Sequence, residues 1–70
     1  MLYYDTAMKK QTKLAKIRHE KDLSQRALAK LSHVGNITIA RIEMGTIDPR
    51  VSTMKALAKA LKVKISDLID

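Results

Sequence analysis

The sequence predicts an all-α protein, a compact bundle of five short helices, and three observations support this prediction. Apolar residues recur at the three- and four-residue spacing of an amphipathic helix in successive segments. Favourable capping residues and glycine stops mark the predicted helix ends. The connections between helices are only a few residues long, with no repeat, low-complexity tract or linker.

The length and composition narrow the class of protein. The chain has 70 residues and therefore forms at most one domain, which buries only about 60% of the surface of its unfolded form. It has no cysteine, so a disulfide framework and a thiolate metal site are excluded, and we expect no metal and no other cofactor. No apolar run reaches the length of a signal peptide or a membrane span, which predicts a cytoplasmic protein without membrane contact.

The charge balance favours a polyanionic partner. Fourteen Lys and Arg against seven Asp and Glu give a net charge of +7, and nucleic acid is the usual partner of such an excess. Solubility alone also accounts for an imbalance of several charges. The only aromatic residues are Tyr3 and Tyr4, and this scarcity disfavours both a membrane surface and a reader that stacks single-stranded bases.

The N-terminal segment and the first helix have different patterns. Residues 1–9 show no helical period, which predicts a flexible N-terminal extension, with a short strand or a dimer arm as alternatives. Residues 10–70 are the predicted domain. Helix 1 is expected over about 10–21, because Leu14 and Ile17 recur at helical spacing among lysines.

Helix 2 has a clear start in the sequence. Ser24 is a favourable N-cap, and Leu28 and Leu31 lie three residues apart on the side that we expect to be buried. The residues Ser-His-Val-Gly at 32–35 predict a tight turn after this helix.

Residues 37–42 raise a conflict, because four of the six are β-branched and favour a strand by propensity. The helix ends decide it. Gly35 serves as N-cap, with Val34 before it and Ile39 within the first turn in the arrangement of a hydrophobic staple, and Gly45 is a natural stop. The pattern therefore predicts helix 3.

Two more helices complete the bundle. Pro49 favours a turn at 46–49 because it moves the preceding residue out of the helical region. Helix 4 over 51–61 is predicted by four apolar residues at helical spacing: Met54, Leu57, Ala58 and Leu61. Ser66 is expected to cap a last turn that carries Leu68 and Ile69.

Helix 2, a short turn and helix 3 follow one another in the order of a helix-turn-helix. Residues 14–69 resemble the phage-repressor and Cro-like helix-turn-helix family, often called the XRE family. The matching positions are Leu23-Ser24-Gln25, Leu28-Ala29, Val34, Thr38-Ile39, Arg41-Ile42-Glu43, Gly45, Pro49, Leu57-Ala58, Leu61 and Val63.

The resemblance implies the fold and the function. The fold is the lambda repressor-like DNA-binding domain, with a helix-turn-helix at helices 2–3. The function is a sequence-specific double-stranded DNA-binding transcriptional regulator of the repressor kind, which reads the major groove with helix 3 (about 36–44). A homodimer on an inverted-repeat operator is expected, with residues 62–70 as the candidate interface and Tyr3 and Tyr4 as an alternative.

Helix 3 has a predicted outer face, opposite the apolar stripe, that consists of Asn36, Ile37, Ala40, Arg41 and Met44. Asn pairs bidentately with adenine and Arg with guanine, while an apolar side chain can pack against a thymine methyl. We expect Asn36, Ile37, Ala40 and Arg41 to contact bases. The alternatives are an isolated surface isoleucine at position 37, and a phosphate or solvent contact at position 41.

Four polar residues flank that face and are expected to contact DNA phosphates: Gln25, Thr38, Thr46 and Arg50. The resemblance implies this role for Gln25, and a helix N-terminus physically favours an anion. The alternative for each residue is a solvated polar side chain. The resemblance also implies that Arg18 and Glu43 form a largely buried ion pair between helices 1 and 3, with two exposed charges as the alternative.

The sequence departs from the family pattern at three turn or cap positions. His33 and Lys62 stand where glycine is common, so each is expected in a left-handed conformation at modest cost. Gly35 replaces a hydroxyl cap.

Other functions are less well supported. An enzyme is not predicted, because His19 and His33 have no metal or nucleophile partner at a recognisable spacing. The rival function is an antitoxin or a protein-binding adaptor that uses the same face of helix 3 for a protein partner. The net charge and the lack of large aromatic anchors argue against it.

Overall fold

The computed structural model describes residues 12–69. In chain order these form four α-helices and a closing turn of 3-10 helix, and no strand occurs among the described residues. The elements are α1 (Lys13–Glu20), α2 (Gln25–Ser32), α3 (Asn36–Met44), α4 (Val51–Leu61) and the 3-10 turn (Ile65–Leu68). The all-α prediction is confirmed. The predicted extension at 1–9 and the predicted start of helix 1 at 10–11 lie outside the described residues.

One hydrophobic core holds the helices together. α2 packs against both α3 and α4, while the 3-10 turn packs against α1 and α4. The largest fully buried side chains come from all four helices: Leu14, Leu28, Ile39, Leu57 and Leu61. These are the positions that the helical spacing predicts to face inward. Within 12–69, none of the helices has the length and apolar character that a bilayer crossing requires.

Side-chain caps fix where α1 and α2 begin. The Ser24 hydroxyl accepts a hydrogen bond from the Ala27 N–H at 2.9 Å, as its sequence position predicts. The Thr12 hydroxyl caps α1 in the same way and accepts from the Ala15 N–H at 3.2 Å. Since Thr12 lies within the segment predicted as helix, the sequence analysis missed this cap.

Left-handed residues end α2, α3 and α4. Gly45 ends α3 with φ 75°, a conformation that glycine adopts without strain. His33 ends α2 with φ 62° and Lys62 ends α4 with φ 59°, as expected for residues that replace glycine. Asp22, between α1 and α2, also has a positive φ of 56°. Each non-glycine residue here bears a modest conformational cost.

Two details of the predicted core are wrong. Leu31 is 58% exposed, and Ser32 is buried in its place, one turn beyond Leu28. Burial of Ser32 is tolerated because its hydroxyl donates a hydrogen bond to the Leu28 carbonyl at 2.7 Å.

The last turn is also arranged differently from the prediction. Ser66 lies inside the 3-10 turn and does not cap it. The Asp67 carboxylate does so by accepting the Lys64 N–H at 3.1 Å. Only Leu68 of the predicted apolar pair is buried there, since Ile69 is 56% exposed.

Candidate nucleic-acid interface

The turn between α2 and α3 is short and well held. It consists of His33, Val34 and Gly35, of which Gly35 is the N-cap of α3. The Val34 N–H donates to the Ser32 hydroxyl at 3.2 Å, and its side chain packs against the core. The Ser32 hydroxyl therefore joins the last turn of α2 to Val34 inside the connection. This bond and the packing of Val34 against the core hold the short turn that a helix-turn-helix requires.

α3 has two chemically different sides. Ile39 and Ile42 are buried in the core, at 0% and 7% exposure. On the other side Asn36 and Arg41 are exposed and Ile37 is 67% exposed. Ala40 also belongs to the outer face and is half-buried. The packing that holds this helix in place is therefore on its core side, and its outer side chains remain accessible to a ligand.

A buried ion pair anchors the far end of α3. The Arg18 Nε donates to Glu43 Oε2 at 2.6 Å, and its Nη2 donates to Oε1 at 3.0 Å. The two side chains are only 9% and 8% exposed. The Arg18 Nη1 also donates to the Leu23 carbonyl at 2.7 Å. This bidentate geometry compensates for the desolvation of both charges and ties α1 to α3.

Gln25 joins the same network, which sequence reasoning missed. Its Nε2 donates to Glu43 Oε1 at 2.9 Å, so the carboxylate links the start of α2 to α3 as well. The amide nitrogen carries two hydrogens, and this bond uses one of them. No spacing rule connects residues 25 and 43; the only available signal was that both belong to the matching family positions.

The other expected phosphate contacts flank the outer face of α3. Thr38 is half-buried in its first turn, and Arg50 is exposed at the N-cap of α4. Thr46 is exposed, but its hydroxyl donates to the Arg41 carbonyl at 3.1 Å. Thr46 can therefore donate that proton to a phosphate only by giving up its hydroxyl bond to the Arg41 carbonyl, which the Thr46 N–H also contacts.

The match to a known family covers the helix-turn-helix described above. Residues 14–68 match the family described as Helix-turn-helix. The chain belongs to this family. Within it, the chain is of the XRE type that the residue pattern resembles. This membership supports a function as a DNA-binding transcriptional regulator, with double-stranded DNA as the partner.

A solved structure shows the same fold. The chain is similar to the restriction-modification controller protein C.AhdI from Aeromonas hydrophila, with 30% identity and a TM-score of 0.78. The match covers 81% of this chain and 86% of that chain. No curated protein matches the chain.

Proposed function

We propose that this regulator is a sequence-specific repressor that inserts α3 into the DNA major groove and binds an inverted-repeat operator as a homodimer. The observation that carries the proposal is the outer face of α3. Asn36, Ile37 and Arg41 are exposed there, on a helix that the core and a buried ion pair hold from the other side. A rigid helix with accessible polar groups satisfies the geometry of major-groove recognition.

Each outer residue has a proposed partner. Asn36 lies in the first turn, from which recognition helices reach base edges, and its amide matches adenine. Arg41 matches guanine, and Ile37 contacts a thymine methyl. Ala40 has a short side chain that permits close approach of the helix to the bases.

The phosphate contacts position the helix. Gln25 would use its second amide hydrogen for a phosphate while Glu43 holds the first, so the ion pair also orients a DNA-facing group. The N-terminus of α2 adds a partial positive charge at the same point. Thr38, Thr46 and Arg50 complete the proposed set on either side of α3.

The test is to select bound duplexes from a random pool with the full chain, and then to titrate the recovered duplex at a series of salt concentrations. We expect inverted half-sites whose centres are about 34 Å apart, or one DNA turn. The logarithm of affinity should fall with the logarithm of salt concentration, with a slope of about −0.9 per phosphate contact.

A matched pair of variants sharpens this test. Arg50→Gln should reduce the salt slope by about 1, whereas Lys59→Gln, on the exposed side of α4, should leave it nearly unchanged. A pool that yields no enriched sequence, together with a salt-independent affinity, would contradict the proposal and favour the protein-binding alternative.

A further inference from the structure

The outer side of α4 carries positive charge only. Lys55 and Lys59 are exposed on this helix, and Lys62 is exposed at its C-cap. Residues four and then three positions apart follow one side of a helix, and the first and last of these are separated by about 10 Å along its axis. We call the three residues the α4 lysine face. No Asp or Glu occurs anywhere from residue 49 to residue 66.

The fold does not account for the α4 lysine face. Among the described residues, no carboxylate forms an ion pair with any of the three lysines. Like charges one turn apart repel one another and destabilise a helix, and solubility is served as well by a mixture of both signs. The partial negative charge at the end of a helix attracts Lys59 and Lys62, but Lys55 lies in the middle of α4 and gains nothing from it.

Lys62 also has a conformational cost. Its φ of 59° is left-handed, a conformation that glycine adopts without strain and lysine does not. The Lys62 side chain is exposed and forms no hydrogen bond or ion pair with another residue in the described part of the chain. A strained backbone that carries an exposed cation fits a contact outside the fold.

We infer that the α4 lysine face binds the phosphate backbone of a second segment of double-stranded DNA, beyond the operator that the proposed function assigns to α3. Lysine is a phosphate-binding residue and is depleted from protein interfaces, which need an apolar core. The apolar side of α4, with Met54 and Leu57, is already buried in the fold. Readers of single strands stack bases on aromatic side chains, and residues 12–69 include no Phe, Tyr or Trp.

The position of α4 leaves its lysines available while α3 holds an operator. α3 and α4 both turn their apolar sides towards the core, and α2 packs against both, so their outer sides look outward from different parts of the surface. Arg50, a proposed phosphate contact, is the N-cap of α4. Lys62 follows twelve residues later, about 18 Å along the helix. The operator therefore reaches the start of α4, and the lysines beyond it meet another duplex.

Such a contact is independent of sequence and weak on its own. Non-specific binding through phosphates has dissociation constants of roughly 10⁻⁶–10⁻⁴ M at physiological salt. On an operator, however, the chain holds its α4 lysine face at a high local concentration of neighbouring DNA, which favours the second contact. The chain then joins two DNA segments that differ in sequence.

The experiment immobilises the selected operator as a short duplex, saturates it with the full chain and measures the capture of a labelled duplex of random sequence. Salt is varied over the range in which the operator stays bound. The logarithm of capture affinity should fall against the logarithm of salt concentration with a slope of about −2.7, or −0.9 for each of three contacts. A variant with Lys55→Gln, Lys59→Gln and Lys62→Gln should capture the second duplex roughly tenfold more weakly or worse and bind the short operator as the wild type does.

A second triple variant is the matched control. Lys16→Gln, Lys21→Gln and Lys30→Gln make the same change of charge at three exposed residues on or next to α1 and α2. This variant should capture the second duplex as the wild type does. Both triple variants should melt close to the wild type, because lysine and glutamine have similar helix propensities.

Four results would overturn the inference. An equal loss in both triple variants would assign the capture to net charge. A loss of affinity for the short operator in the α4 variant, with the salt slope reduced by about 3, would place these lysines in the operator contact. Capture of labelled polyglutamate without capture of the duplex would indicate an acidic protein partner. Capture of neither probe would leave the lysines without an external ligand.

The same variants separate this inference from the proposed function. If the wild type shows no preference for any selected duplex, the proposed function fails. Direct titration of the random duplex with the two triple variants then still decides whether the α4 lysine face binds DNA.

Discussion

The two ends of α3 reverse the usual rule of burial. Near its start Ile37, an apolar residue, is 67% exposed, whereas near its end Glu43, a charged residue, has a side chain only 8% exposed. Exposure of Ile37 adds no hydrophobic stabilisation to the fold, and burial of Glu43 carries a desolvation cost. The two exceptions have separate explanations: Glu43 is buried where it joins three helices, and we propose that Ile37 is exposed for a partner outside the fold.

The two exceptions should therefore respond to mutation in opposite ways. A change at Glu43 acts on stability first, because the buried Arg18 guanidinium loses its counter-charge. A change at Ile37 acts on DNA affinity and leaves the folded state as it was.

The largest effect is expected at the buried end of α3. Glu43→Gln removes the carboxylate that accepts bonds from Arg18 and Gln25 and should lower the free energy of unfolding by about 3–5 kcal/mol. A domain of this size has a total stability of the same order, so the variant should be partly or wholly unfolded. Urea denaturation followed by circular dichroism measures this, with the exposed Glu20→Gln as a control within about 0.5 kcal/mol. A midpoint equal to that of the wild type would contradict the structural role of the ion pair.

Arg41→Ala tests the outer face of α3. Loss of a bidentate contact to guanine should cost about 1–3 kcal/mol of binding free energy, or roughly five- to 150-fold in affinity, with unfolding unchanged. Lys59→Ala, which removes an exposed charge from α4, is the matched control. The measurement is titration of the selected operator and of its single-base variants. A uniform loss on all sequences, with a salt slope changed by about 1, would assign Arg41 to a phosphate instead.

Ile37→Ala should have a smaller effect of the same kind. Removal of methyl contacts with one thymine should cost about 1 kcal/mol, or roughly fivefold in affinity, with no loss of stability. Replacing that thymine by uracil in the operator should then weaken the wild type and leave the variant unaffected. Met44→Ala is the control, since Met44 is 70% exposed at the C-terminal end of α3, which the proposed docking places farther from the bases. An equal loss on every DNA sequence argues against the thymine contact.

The smallest effect is expected at Gly35, the N-cap of α3, which directly precedes the exposed Asn36 and Ile37. Gly35 has φ −57° and ψ 142°, and a Cβ built on it meets the Thr38 hydroxyl at an ordinary 3.6 Å. Gly35→Ser should therefore fit, add a cap bond and stabilise the fold by a few tenths of a kcal/mol, about the difference between serine and glycine caps. Gly45→Ser is the contrasting variant, since φ 75° there should make it destabilising by about 1 kcal/mol. Thermal melts that rank the two variants in the other order would refute this account of the helix ends.

Periodicity and caps predicted most of the fold because both act within a few residues. The inward residues of α3 and α4 and the Ser24 cap follow from local rules, whereas the left-handed His33 was expected from the family pattern. The wrong prediction at Leu31 shows their limit. Which of two adjacent residues faces the core depends on how α2 is rotated against α3 and α4, and a polar Ser32 can take the inner place when its hydroxyl bonds to its own helix.

Less of the candidate site than of the fold could be predicted from the sequence. The outer face of α3 follows from geometry once the inner stripe is known. The Arg18–Glu43 pair spans 25 residues and was expected only from the family resemblance. The bond from Gln25 to Glu43 depends on the relative position of two helices, which no local pattern encodes.

The Asn36, Ile37 and Arg41 side chains lie on the side of α3 away from the core. They are therefore separate from the packing that holds this helix in place. If these three side chains contact bases as proposed, other side chains at the same positions should change the DNA sequence that the protein recognises and leave its thermal stability unchanged. We therefore expect a change of DNA target in this scaffold to need no compensating substitution in the core.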